Sequence, residues 1–129
     1  MGSAMPFRVE EDPEKRLVRV TLEGRYDKAE IEAMVDRARA ASAKNRWNIL
    51  YDMRGASPGA MSPADVFWMP RKHPALRSVD APSVRVAALH DGKFAEVAAF
   101  WEDTFRNAGL RARAFTDEAA AVSWLAVPD

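Results

Sequence analysis

The chain has 129 residues, 48% apolar and 29% charged, with 19 basic against 19 acidic side chains and no cysteine. A domain of this length hides roughly two-thirds of its unfolded surface without covalent staples. The lack of cysteine excludes disulfides, thiolate metal sites and cysteine nucleophiles, and a net charge of zero lacks the basic excess of a nucleic-acid binder.

No apolar run approaches the ~18 residues that cross a bilayer, so no transmembrane segment is expected. No signal-peptide pattern opens the chain, which makes the cytoplasm the expected location. Met1-Gly2-Ser3-Ala4 reads as an expression-tag remnant, leaving residues 5–129 as a single domain that starts near Met5.

Phe7 to Glu10 reads as a short strand, and Glu11-Asp12-Pro13-Glu14 as a polar turn. Arg16 to Leu22 alternates strictly, with Leu17, Arg19 and Thr21 on one face and Val18, Val20 and Leu22 on the other. That period predicts a half-solvated strand, hairpin-paired with the first and ended by Gly24. Asp27 with Glu30 three residues on makes a capping box. The helix behind it places Ile31, Met34, Val35, Ala38 and Ala41 inward, leaves Glu32, Asp36, Arg37 and Arg39 outward, and should end near Lys44-Asn45.

Trp47 to Tyr51 is apolar and short, which predicts a buried central strand. The stretch Ile49-Leu50-Tyr51-Asp52-Met53-Arg54-Gly55 then reads as that strand running into a charged, glycine-broken turn. Residues 56–83 hold Pro58, Pro63, Pro70, Pro74 and Pro82. Ser62-Pro63 starts a helix there, which Pro70 should break or kink after little more than two turns, leaving an irregular covering loop. Val84 to Leu89 is the next central strand. Lys93 to Ala108 is a helix with Phe94, Val97, Ala98, Trp101 and Phe105 in one stripe and Gly109 at its carboxyl cap. Leu110 to Phe115, with Arg111 and Arg113 alternating, reads as an edge strand. A last helix from Asp117 to Leu125 is expected to be capped by Thr116.

The order is therefore β-β-α-β-α-β-α-β-α. It predicts an α/β single domain with a mixed, mostly parallel five-stranded sheet flanked by about four helices.

This order, the Ile49–Gly55 element, the strand Arg85-Val86-Ala87-Ala88-Leu89 and the closing pattern of Arg111 to Phe115, Thr116-Asp117-Glu118, Ala121 and Trp124-Leu125 carry a resemblance. Over residues 7–126 the chain resembles the SpoIIAA-like family of STAS/SEC14-type domains. The wider superfamily includes anti-anti-sigma factors, transporter-attached STAS domains and lipid-carrying SEC14 proteins. The resemblance implies a fold more than an activity. Anti-anti-sigma factors carry a phosphorylatable serine in an Asp-Ser-Ser-Gly-like turn. The matching stretch here is Asp52-Met53-Arg54-Gly55-Ala56-Ser57, in which the serine after the aspartate is missing.

Ligands of open α/β sheets gather at the carboxyl ends of strands. One such end should carry Asp52, Arg54 and Ser57, and another His90, Asp91 and Lys93. The helix start by Lys93 would suit an anion, while Asp52 with Arg54, and Asp91 with the helix start, are equally able to pair or cap locally. Met61, Phe67, Trp68 and Met69 can close the core, fill an interface or roof a pocket, and Phe100, off the apolar stripe, hints at a second contact surface. A triad of Ser57 or Ser62 with His90 and Asp52 or Asp91 lacks a nucleophile elbow. His73, a solvated loop residue by its neighbours, and His90 stand too far apart for a metal motif, and Gly55 and Gly59 are isolated rather than a phosphate loop. No metal or other cofactor is expected.

The expected function is a non-enzymatic module that binds a small apolar or lipid-like molecule, or a protein partner, and forms a homodimer. Asp52, Arg54, Ser57, Met61, Phe67, Trp68, His90 and Lys93 are its candidate ligand-binding residues. The alternatives are a small serine-dependent hydrolase using Ser57 or Ser62 with His90, and a phospho-regulated switch of the anti-anti-sigma kind.

Overall fold

The elements run β1 (Phe7–Asp12), β2 (Leu17–Tyr26), α1 (Lys28–Asn45), β3 (Asn48–Pro58), α2 (Pro63–Lys72), β4 (Arg85–Leu89), α3 (Ala95–Asn107), β5 (Arg111–Phe115) and α4 (Glu118–Ala126), with 3₁₀ turns at Pro74–Leu76 and Ala81–Ser83. The computed structural model describes residues 7–127; the tag remnant and the start near Met5 lie outside the described residues. The strands form one five-stranded sheet in the order β1-β2-β3-β4-β5. β1 pairs antiparallel with β2, and every later pair is parallel.

Because strand order advances in one direction from β2 to β5, right-handed crossovers put α1, α2 and α3 on the same face of the sheet. Val18, Val20, Leu22, Ile49, Tyr51 and Val86 are buried there against Ile31, Met34, Val35, Met69 and Phe105. Leu17, Leu50, Ala87 and Leu89 face the other way and are buried with Ala121 and Leu125 of α4. The central strands are thus apolar on both faces, as parallel strands between helical layers are. The sheet has no point where strand order reverses, so no crevice of the doubly wound kind is built into it.

Local chemistry explains most boundaries. The Asp27 side chain accepts from the Glu30 N–H and the Glu30 carboxylate accepts from the Asp27 N–H, as the capping box predicts. Ser62 and Asp65 close the same reciprocal pair on α2. Gly109, at φ +92°, follows α3 while the Leu110 N–H reaches back to the Phe105 carbonyl, a left-handed helix end that favours glycine.

Several sequence expectations are corrected. β2 does not stop at Gly24 but runs on to Tyr26, and β3 does not turn after Tyr51 but runs to Pro58. The reason is long-range pairing: Glu23 to Tyr26 pair with Gly55 to Pro58. Between Thr21 and Glu23 the register slips, so that Met53 and Arg54 together stand opposite Leu22. The apparent turn is a β-bulge, one extra residue in β3. Pro70 lies inside α2, which ends two residues later at Lys72, so the helix stops within a turn of the proline. α4 is capped by Asp117, whose carboxylate accepts from the Ala120 N–H, rather than by Thr116. His73 is not a solvated loop residue. Its side chain is largely covered, with Nε2 2.7 Å from Asp36 Oδ1 and Nδ1 3.6 Å from Glu32 Oε2, tying the end of α2 to α1.

Candidate functional site

An apolar cavity of about 120 Å³ lies between the sheet and the layer of α1, α2 and α3. Its floor is built by the side chains that the pleat of β3 and β4 turns toward the helices, chiefly Tyr51, Met53, Val86 and Ala88. The bulge re-phases β3, so Ala56 and Pro58 reach the same face as Met53. The helices contribute Met34 and Val35, Val66 and Met69, and Ala98 and Trp101. The void has a simple cause: Ala56, Ala88 and Ala98 put methyl groups where a packed core would place larger side chains. Ala88 stays partly accessible although it sits in a central strand.

Two of the sequence candidates line this cavity. Met61 closes it ahead of α2, and His90 stands at its edge past the carboxyl end of β4. The His90 Nδ1 accepts from the Gly92 N–H at 3.1 Å, which leaves Nε2 as the ring's N–H donor in the neutral form. Asp91 also lines the edge, while its Oδ1 accepts from the Lys93 N–H at 3.0 Å. Lys93 itself is exposed, its Nζ 3.9 Å from Asp91. α3 begins at Ala95, two residues beyond Lys93.

The other candidates are elsewhere. Asp52 and Arg54 lie on the opposite face, beneath the start of α4. Arg54 donates from Nε to Asp52 Oδ1 at 2.9 Å and from Nη2 to Asp52 Oδ2 at 2.8 Å. Arg19 donates to the same Oδ2 at 3.1 Å, and both arginines donate to Glu118. Two cations and two anions thus satisfy one another across β2, β3 and α4. The Arg54 fork holds the Asp52 carboxyl below its ordinary value, and Arg19 does the same for Glu118. This network locks α4 onto the sheet instead of facing the cavity. Ser57 is half-buried near the end of β3 and lies outside the cavity lining. Phe67 and Trp68 are exposed on the outer surface of α2, packed edge to face at 5.0 Å. Arg71 sits 4.0 Å over the Phe67 ring and Lys72 4.6 Å over the Trp68 ring. Met69, by contrast, is core.

Among the cavity residues not singled out from the sequence as site residues are Arg39 and Tyr51. Arg39 was expected to point outward. It sits four residues after buried Val35 and next to buried Ala38, so it borders the apolar stripe and folds in over the cavity. That spacing was the available signal. Burial pushes the Tyr51 phenol up to about 12 and the Arg39 guanidinium down from its usual value. Among the described residues, no group of three or more His, Asp or Glu side chains is placed to hold a metal ion, and no helix is long and apolar enough to cross a membrane.

A hairpin followed by three parallel crossovers, with one helical layer of three and a single closing helix, defines an α/β domain with the SpoIIAA-like fold. The model of the SpoIIAA-like family matches residues 17–126, and the chain belongs to that family. Among solved structures it is similar to an uncharacterized protein of the DUF3478 family with a SpoIIAA-like fold from Shewanella loihica PV-4. The two share 18% identity and a TM-score of 0.59 over 97% of this chain and 98% of that one, which speaks for the fold alone. No curated protein matches the chain significantly.

Proposed function

We propose that this protein is a non-enzymatic binding module that holds a small, mostly apolar molecule between its sheet and the α1–α3 layer. The observation that carries this reading is the cavity of about 120 Å³ with its almost wholly apolar wall. Cavities on the order of 150 Å³ admit a benzene-sized guest, so a compact ligand suits the space better than a long lipid chain. Phe94 and Val97, exposed at the start of α3 and also part of the lining, give the ligand an entry beside His90.

Native mass spectrometry of the purified protein, repeated under denaturing conditions, tests the reading. A non-covalent adduct lost on denaturation supports it and yields the ligand's mass. Saturation of the cavity by toluene, followed by NMR, is a second route. Failure of any compact apolar probe to perturb the cavity residues would remove the reading.

A second reading has its own observation. Phe67 and Trp68 on α2, and Phe94, Val97 and Phe100 at the start of and along α3, are all exposed, and apolar surface of this kind serves contacts between proteins. A ligand-free dimer in the same experiment, dissociated by Trp68→Ser with Phe100→Ser, would favour a homodimer or partner-binding role. The hydrolase alternative has no comparable support. The Ser62 hydroxyl accepts from the Asp65 N–H, and no hydrogen bond among the described residues joins Ser57 or Ser62 to His90.

A further inference from the structure

Among the described residues the cavity wall carries one guanidinium or ammonium group, and its surroundings indicate what the ligand must supply. Arg39 reaches the cavity from α1. Its Nη1 donates to the Ala81 carbonyl at 3.2 Å, while its Nε is shut off from solvent with no hydrogen-bond partner. Arg39 forms no ion pair with any Asp or Glu among the described residues. The Tyr51 phenol, close enough to interact electrostatically with Arg39, makes no side-chain hydrogen bond to another described residue. A guanidinium stays charged in proteins, and a buried charge without a counter-ion is costly. Its planar fork matches a carboxylate through two parallel N–H donors.

The two ends of the cavity differ in charge. Arg39 bonds to Ala81, which precedes the amino end of β4, whereas His90 and Asp91 follow its carboxyl end. The Asp91 carboxylate disfavours an anion at that edge. Asp36, the acid near Tyr51, is engaged by His73 at 2.7 Å.

We propose that the cavity binds a small monocarboxylate, an aromatic or short aliphatic acid whose carboxylate pairs with Arg39 and the Tyr51 hydroxyl while its apolar body lies over Ala88 beside Trp101. This rests on the cavity being a binding site at all.

The test uses two probes of nearly equal shape, benzoate and toluene, titrated at pH 7 into the full chain and followed by amide NMR. Benzoate is expected to bind at least tenfold tighter than toluene, since charge-assisted hydrogen bonds to a guanidinium fork are among the stronger ones. R39M should cost benzoate tenfold or more and erase its advantage over toluene measured on the same variant, while a dispersed amide spectrum reports that the variant is folded. R39K, which keeps the charge but loses the fork, should weaken benzoate severalfold and shrink the same ratio, and it decides the matter if R39M fails to fold. Toluene binding equal to or tighter than benzoate would overturn the carboxylate and leave the cavity reading standing. Benzoate affinity unchanged in R39M, or in R39K where R39M does not fold, would remove Arg39 from the site. Binding of neither probe to the wild-type protein would overturn both.

Discussion

Arg54 grips Asp52, two residues before it on β3, through both ends of its guanidinium, at 2.9 and 2.8 Å. Residues two apart on a strand share a face, and the bulge at Met53–Arg54 brings the fork within reach of the carboxylate. A pair closed in this way, and backed by Arg19 and Glu118, belongs to the architecture.

Arg54→Ala should therefore leave binding in the cavity unchanged. Its stability cost should be small, about 0.2–1 kcal/mol, because Arg54 is partly exposed and Arg19 still serves Asp52. Asp52→Asn should cost more, about 1–3 kcal/mol, since the Asp52 side chain is covered and the two arginines lose their shared negative charge, while one of the two acceptor oxygens becomes an NH2 group that cannot accept. Urea denaturation of the two variants gives the ordering. A larger loss from Arg54→Ala than from Asp52→Asn would contradict it.

The same network predicts an acid limit. Asp52 is held below its ordinary value chiefly by hydrogen bonding to Arg54, and Glu118 below its own chiefly by hydrogen bonding to Arg19. Groups whose folded values are depressed stabilise the fold fully above their unfolded values, and that contribution fades as pH falls through the folded ones. Stability from this cluster should be level from pH 7 to about 5.5 and decline below pH 4.5. Glu118→Gln should shrink the decline. Denaturation midpoints measured across that range check it, and an unchanged slope in Glu118→Gln would place the acid sensitivity elsewhere.

Gly59 is held where no side chain fits. Its N–H donates to the Tyr26 carbonyl at 3.0 Å, and a Cβ there would lie 2.7 Å from that same backbone oxygen. Gly59→Ala should force the ends of β2 and β3 apart, at about 1–3 kcal/mol. Thermal melting reads this directly. A melting temperature equal to the wild type would show that the segment after β3 can yield.

Ala98 lines the cavity from α3. Ala98→Leu should fill part of the void, raise the melting temperature slightly and abolish binding of toluene and benzoate alike. Retained binding with a higher melting temperature would mean that the probes bind outside this cavity.

Much of the fold was legible along the chain. The helix start at Asp27 follows from Glu30 three residues on, that at Ser62 from the proline behind it, and the edge position of β5 from its alternating arginines. The site was less so. Met61 and His90 line the cavity, but Asp52 and Arg54 stand on the other face, and Phe67 and Trp68 look outward. The strand-end rule needs a reversal in strand order, which this sheet lacks.

By itself, the sequence determined the order of nine elements and the two-sided burial of the middle strands, because these depend on local periodicity and capping, and the resemblance of its strands and closing helix already pointed to the family. Only the tertiary structure decided that residues 52–58 are strand instead of turn, that Arg39 folds inward, and that three alanines from β3, β4 and α3 meet around a void. Each of these depends on partners far apart in the chain. Pairing with β2 extends β3 past its glycine, and a cavity exists only where side chains from separate elements fail to fill the space between them.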